Sequence, residues 1–219
     1  MDPERAYFHD MSLFTPGDKR GLLSADFRRA LNGHDSFRLF ERHFDTVRGC
    51  DHLSRILYLD TKTYLANDIL VKVDRMTMAN SLEVRSPLLD HKIIEFAARV
   101  PSAIKFRGST PKYLLKRYLE QRLPASLVHR PKMGFSIPLT SWLRTDLRDM
   151  GEDLLLSERS TMRGYFASEH VRRLWNAHQR GERDHTHRLW ALMVLELWHR
   201  LFVDQTPTSP PAESPLGAS

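Results

Sequence analysis

One segment constrains the fold of this chain more than any other, because its apolar residues do not suit a surface helix. Residues 68–82 contain no Gly or Pro. Placed on a helix at about 100° per residue, their apolar side chains nearly encircle the axis. The sequence therefore predicts a helix that is buried on several sides. The apolar positions are Ile69, Leu70, Val71, Val73, Met76, Met78 and Leu82.

The polar residues of this helix are few and are unevenly placed. Asp68, Lys72 and Arg75 gather in one narrow stripe, and the first two can pair at i, i+4 for about 0.2–0.5 kcal/mol. Asp74 falls outside the stripe, among apolar positions. An unpaired buried carboxylate costs several kcal/mol, so we expect Asp74 to meet a cation or a set of amide donors.

Boundary signals predict helices along most of the chain. Ser24 is placed to cap a short helix, and Ser168 to cap a later one. The span 50–84 is predicted to be helical up to Ser86-Pro87, where Pro87 can open the next helix at its first position. Pro111 is expected to open a further helix over Lys112 to Arg122. No run of alternating apolar and polar residues predicts a strand, so the chain is expected to be mainly α.

Periodicity also predicts which faces of three helices are buried. Spacings of three and four residues define each apolar face, and Gly181 stands where the C-terminal cap of the second of these helices belongs. His178 on that helix is interpreted as a hydrogen-bonded core residue. The predicted faces are Ile93, Phe96, Ala97 and Val100; Val171, Leu174, Trp175 and His178; and Trp190, Met193, Val194, Leu197, Trp198 and Leu201.

Composition favours one soluble globular domain. Of the 219 residues, 41% are hydrophobic and 27% charged, and no apolar run approaches the roughly 18 residues of a membrane helix. A single cysteine, Cys50, excludes an internal disulfide framework, so a cytoplasmic location is expected. The formal charge of +6 is spread along helices, which favours solvated faces, or one face towards a phosphate-bearing substrate, over nucleic-acid binding.

Three motifs recur in order along the chain. Residues 68–90 read DILVKVDRMTMANSLEVRSPLLD, residues 123–127 read LPASL, and residues 129–135 read HRPKMGF. Together they resemble the C-terminal half of the synthetase domain of glutamine-hydrolysing asparagine synthetases, a family related to β-lactam synthetases. The resemblance implies the helical portion of an α/β ATP-pyrophosphatase-like domain, with most of the parallel sheet lying before this segment. The expected organisation is a lead-in over 1–50, the synthase-like helical region over 51–205, and a disordered tail over 206–219.

The same resemblance implies an ATP-dependent ligase. Aspartate or a related carboxylate would be activated as an acyl-adenylate and then amidated by glutamine-derived ammonia, with Mg²⁺ arriving on ATP. The SGGxDS and GxGxDE loops of the family are absent, as is its N-terminal glutaminase cysteine. We therefore expect a C-terminal fragment that is inactive alone. The alternative is a non-catalytic helical remnant, or a subunit that complements a separate nucleotide-binding chain.

Lys132 is the candidate catalytic residue. It stands between Pro131, which restricts the backbone, and Met133-Gly134, where a missing Cβ admits a close approach. The matching lysine of the family faces phosphoryl charge, and loss of such a group costs about 3 kcal/mol. The competing interpretation is a solvated loop lysine.

The resemblance places Asp68 and Arg75 nearer the ligand than the other charged residues of the first motif. The latter form the predicted structural ion network, which would fix how helices pack. Without the sheet, such helices would also leave an apolar face bare. The histidine spacings predict no protein-bound zinc. The network residues are Asp74, Glu83, Arg85 and Asp90.

Overall fold

The structure, a computed structural model, is mainly helical, as predicted. It describes residues 2–131, 134 and 137–204. Lys132 and the predicted tail therefore lie outside the described residues. The helices are α1 (Pro3–Met11), α2 (Pro16–Leu22), α3 (Ala25–Ala30), α4 (Phe37–Thr46), α5 (His52–Asp60), α6 (Leu70–Met78), α7 (His91–Arg99), α8 (Ser102–Lys105), α9 (Tyr113–Leu119), α10 (Ala125–Val128), α11 (Leu139–Trp142), α12 (Arg148–Leu156), α13 (Glu158–Thr161), α14 (Ser168–Gln179) and α15 (Thr186–Trp198).

Three irregular helical segments and one hairpin complete the secondary structure of the described residues. π-helical segments cover Thr61–Ile69 and His199–Val203, and Pro87–Leu89 forms a single 3-10 turn. Strands β1 (Phe106–Arg107) and β2 (Thr110–Pro111) pair antiparallel as a hairpin. The helix predicted over Lys112 to Arg122 is present as the shorter α9, but Pro111 belongs to β2 and does not open it.

The second of two compact units holds the larger core. The first unit comprises Met1–Phe8 and Asp35–Gly134, and the second comprises His9–His34 and Phe135–Ser219. The second unit buries one contiguous set of apolar side chains, contributed mainly by α11, α12, α14 and α15. The members of this core are Leu22, Leu139, Leu143, Leu154, Leu155, Val171, Leu174, Trp175, Leu189, Leu192 and Met193.

Helix α14 buries the face that its periodicity predicts. Val171, Leu174, Trp175 and His178 are all buried. Gly181 has φ +72° and donates its amide to the carbonyl of His178, which confirms it as the C-terminal cap. The predicted N-terminal cap was wrong by one residue, because Ala167 is the capping position and Ser168 is the first helical residue.

The apolar face predicted for the last helix is confirmed only in part. Met193 is buried and Trp190 and Leu197 pack against the core, whereas Val194, Trp198 and Leu201 are exposed. The buried residues of α15 are Thr186, Leu189, Leu192, Met193 and Glu196. An apolar pattern cannot identify this face, because one of its positions is a carboxylate. Glu196 is tolerated there because it accepts hydrogen bonds from two guanidinium groups, those of Arg163 and Arg200.

The first unit has a small aromatic core. Phe8, Phe37, Phe44 and Leu59 form it, with the ring of Phe8 edge-on to that of Phe37 at 5.6 Å. No described residue between 60 and 138 is buried. The prediction that the helix over 68–82 and the apolar face of α7 are buried was therefore wrong for the described residues. The apolar face that was expected to be left bare is present in this region.

Replacing Gly151 with Ala is expected to destabilise the second unit by about 1–3 kcal/mol through overpacking. A Cβ at this position would lie 2.6 Å from Cη2 of Trp175. All four tryptophans belong to the second unit, so denaturant unfolding followed by tryptophan fluorescence measures the loss. Gly17→Ala is the matched control, because its nearest neighbour would be 3.6 Å away. Equal losses in the two variants would contradict the packing argument.

The stability of the second unit is expected to fall as pH drops below about 6.5, the pKa of an unfolded histidine. Burial lowers the pKa of the His178 imidazole, and Arg144 lowers it further. The unfolded chain therefore binds a proton that the folded chain resists, and the loss continues down to the folded pKa. One such group contributes up to about 1.4 kcal/mol per pH unit. Urea unfolding from pH 7 to 5 should show a shallower decline in His178→Gln.

Candidate functional site

Asp68 and Arg75, the residues expected to lie near the ligand, are on the longest helical run of the described residues. Helix α5, the π-helical segment Thr61–Ile69 and α6 follow one another without a break. The helix changes from α to π winding at Thr61. There the hydroxyl groups of Thr61 and Thr63 donate hydrogen bonds to the carbonyls of Leu57 and Leu59. Asp68 lies at the end of the π-helical part, where insertions of this kind are frequent at functional sites.

The run ends six residues earlier than the predicted residue 84. Ser81 adopts a left-handed conformation with φ 56°. Its amide donates to the carbonyl of Met78, and the amide of Leu82 donates to that of Thr77. This pattern caps a helix C-terminus and normally uses glycine. The remaining residues of the first motif, 82–90, therefore lie outside the helix.

The structure brings two residues of the predicted polar stripe together. Nζ of Lys72 lies 3.8 Å from Oδ1 of Asp68, and both side chains are more than half exposed. Arg75, on α6, forms no ion pair with any described residue. The helical run thus presents the guanidinium of Arg75 and, two residues before α6, the carboxylate of Asp68 paired with Lys72.

The four residues of the predicted ion network do not all meet. Glu83 and Arg85 pair at 2.6 Å, fully on the surface. Asp90 instead caps α7 by accepting the amide of Lys92 at 2.8 Å. Asp74 has no cationic partner among the described residues, and its environment is exposed, so its charge needs no compensation here.

A cluster that sequence reasoning missed lies shortly before Lys132 in the sequence. Oε1 of Glu120 lies 2.9 Å from Nε2 of His129, and Oε2 accepts from Arg117 at 2.8 Å. The hydrogen bond from His129, followed by that from Arg117, lowers the pKa of the Glu120 carboxyl. Glu120 and His129 are nine residues apart, which is not the spacing of a pair on one helix face. The contact could be predicted only from a turn of the chain after α9.

The described residues do not offer a resident metal site. No group of three or more His, Cys, Asp or Glu side chains among them could hold an ion. No helix in the described part of the chain is long and apolar enough to cross a membrane.

Comparison with known proteins identifies the family. The family model for asparagine synthase matches residues 7–200, which is most of the chain. This chain therefore belongs to the asparagine synthase family, and the resemblance in its motifs is confirmed.

Two bacterial relatives and one mammalian relative illustrate the match. A Mycobacterium tuberculosis protein named "Putative asparagine synthetase", glutamine-hydrolyzing, is 37% identical over 87% of this chain and 30% of its own length. Glutamine-hydrolyzing asparagine synthetase 1 of Bacillus subtilis is 28% identical over 91% of this chain and 30% of its own length. The rat enzyme is 29% identical over 55% of this chain and 24% of its own. The chain thus spans about a third or less of these relatives. No solved structure gives a significant match.

Replacing Ser81 with Gly is expected to stabilise the C-terminus of α6. Left-handed backbone costs a residue with a Cβ about 1–2 kcal/mol, and Gly avoids that cost. Amide hydrogen exchange in Leu70–Met78 should slow several-fold. Ser126→Gly, in the middle of α10, is the matched control and should destabilise its helix by about 0.5–1 kcal/mol. Faster exchange in α6 of the Ser81→Gly variant would contradict the capping role.

Proposed function

We propose that this chain forms the C-terminal part of an ATP-dependent amide ligase of the glutamine-hydrolysing asparagine synthetase type. A carboxylate oxygen of aspartate, or of a related acid, attacks the α-phosphorus of ATP, and pyrophosphate leaves. Ammonia derived from glutamine then attacks the activated carbonyl carbon, loses a proton, and AMP leaves. ATP carries Mg²⁺, and the remainder of the enzyme supplies the nucleotide loops and the glutaminase.

The bare apolar surface of the first unit carries the proposal. Large apolar side chains across α6 to α10 are exposed, although their sequence pattern is that of buried helices. Leaving so many in water is unfavourable at about 25 cal/mol per Å², and exposed apolar surface marks an interaction site. A layer of helices that covers a sheet supplied by other residues accounts for it. Examples are Leu70, Val73, Met76, Met78, Ile93, Phe96, Leu114, Tyr118 and Leu127.

Charge in the same unit suits a phosphate-bearing substrate. Between residues 99 and 131 the chain has eight Lys and Arg residues and a single carboxylate, Glu120. That carboxylate is already engaged by Arg117 and His129. An excess of one sign of charge concentrates an oppositely charged substrate and speeds its arrival. The segment therefore favours ATP over a neutral ligand.

Three residues have proposed roles. The ammonium group of Lys132 neutralises negative charge on the α-phosphate and on the departing pyrophosphate. Arg75, which lacks an ion-pair partner among the described residues, binds an anionic group of the substrate. Asp68 orients the substrate and keeps Lys72 on the helix surface. We propose that Asp74, Glu83, Arg85 and Asp90 act in helix packing once the apolar surface is covered.

A non-catalytic helical subunit is the second candidate. The same bare surface supports it, because a separate nucleotide-binding chain could cover these helices equally well. The two candidates differ in whether residues of this chain take part in the reaction.

Reconstitution separates them. The isolated chain is to be assayed for aspartate-dependent exchange between ATP and pyrophosphate, alone and mixed with the portion of the Mycobacterium tuberculosis relative that lies outside the matched region. We expect no exchange by either part alone and measurable exchange by the mixture. A complex that forms but shows no exchange would favour the non-catalytic subunit. Absence of a complex would contradict both candidates.

In the reconstituted mixture, Lys132→Ala is expected to reduce the exchange rate by about two orders of magnitude, because loss of one preorganised charge costs about 3 kcal/mol. Lys62→Ala is the matched control, because Lys62 lies outside the basic segment 99–131 and its ammonium group is over the ring of Tyr58, 5.8 Å from the centroid. We expect less than a twofold effect. Unchanged exchange in Lys132→Ala would remove this lysine from the mechanism.

A further inference from the structure

A small cavity in the second unit has no role in the proposed reaction. None of the residues proposed for the synthetase cleft lines it. Its free space is about 30 Å³, and a single water molecule needs roughly 10–15 Å³. The cavity therefore admits a group of about two or three non-hydrogen atoms. The apolar part of its lining is Leu154, Leu155, Phe166, Val171, Leu192 and Leu195.

The imidazole of His199 carries an unpaired nitrogen at this cavity. The residue belongs to the lining and is 8% exposed. Its Nδ1 is buried and forms no hydrogen bond with any described residue. Buried polar atoms in proteins nearly always have a partner, and leaving one unpaired is unfavourable. A hydrogen-bonding group of a molecule in the cavity would supply the partner that the protein does not.

Neighbouring groups fix the position of this imidazole. Its ring centroid lies 5.3 Å from that of Tyr165 and 5.0 Å from that of Trp198. The carbonyl of His199 accepts the amide of Asp204 at 2.9 Å, within the π-helical segment His199–Val203. Turning Nδ1 towards another protein group would lose the two ring contacts. The unpaired nitrogen is therefore held in place at the cavity.

The other polar groups of the lining are largely satisfied. Arg163 and Glu196 line the cavity, and both belong to a network of three arginines and three carboxylates whose charges balance. The hydroxyl groups of Ser160 and Thr161 donate to the carbonyl of Ser157. An ion that entered the cavity would find no uncompensated counter-charge. The network consists of Arg159, Arg163, Arg200, Asp153, Glu196 and Asp204.

We propose that this cavity binds a small neutral molecule with one carboxamide or hydroxyl group on a short aliphatic body. Both groups donate and accept hydrogen bonds, so either one pairs with Nδ1 in both tautomers of His199. The aliphatic part packs against Leu154 and Leu192, where burial of apolar surface is favourable. A carboxylate is disfavoured, because its charge would lose water without gaining a cation. The site does not depend on the proposed ligase reaction, because binding requires no turnover.

The test is a titration of the full chain, followed by the ¹⁵N signals of the His199 ring and the methyl signals of Leu154 and Leu192. Acetamide, ethanol and sodium acetate are added separately at constant ionic strength. Saturable shifts with acetamide or ethanol are expected, with a Kd of about 10 mM or tighter. Acetate has nearly the shape of acetamide and should bind at least about tenfold more weakly, because of its charge. The neutral compound that binds more tightly identifies the hydrogen-bonding group.

Variants decide whether the shifts come from this cavity. His199→Phe keeps an aromatic ring and removes Nδ1, so it should weaken binding of the neutral compound at least about tenfold. His187→Phe is the matched control, because His187 is exposed on α15 and does not line the cavity, and its affinity should change less than twofold.

A second variant covers the case in which His199→Phe does not fold. Leu195 lines the cavity and is 36% exposed, so Leu195→Trp can fill the space from its outer side and should abolish saturable binding. The proposal is overturned if neither neutral compound saturates, if acetate binds as tightly as acetamide, or if the folded cavity variants bind like the wild type.

Discussion

The second unit depends on a buried carboxylate. Glu196 is 5% exposed in the middle of α15 and is held by Arg163 from one side and Arg200 from the other. The same guanidinium groups reach Asp204 and Asp153. Burial opposes ionisation of the Glu196 carboxyl, yet the two arginines lower its pKa overall. Removing one partner from such a buried pair costs about 3–5 kcal/mol, so the network holds α15 in one register.

The two units illustrate opposite relations between apolar sequence and burial. In the second unit, α12, α14 and α15 cover one another, and Trp175 sits against Gly151 with no room for a Cβ. In the first unit, α6 to α10 have equally apolar faces and bury none of them. An apolar face requires a partner, but it does not say which residues provide it. The chain spans about a third or less of the length of the relatives described above, and we propose that residues outside it cover these faces.

Local signals predicted local structure well. Ser24 caps α3 through the amide of Phe27, Gly181 ends α14, and His178 is a core residue whose Nδ1 accepts the amide of His185. Each depends on neighbouring residues and on intrinsic backbone preference. The hairpin at Pro111 was missed, because two-residue strands leave no periodic pattern. The Glu120 and His129 contact was missed because it depends on the path of the chain between α9 and α10.

The sequence by itself determined the helical class, the family and the residues proposed for chemistry, because helix periodicity, caps and ordered motifs are short-range information. Only the tertiary structure decided which apolar faces are covered and why a glutamate is buried in α15. These features depend on side chains that are distant in sequence and meet only in the folded chain. The free energy that stabilises these features comes from contacts between distant segments, and no single segment provides it.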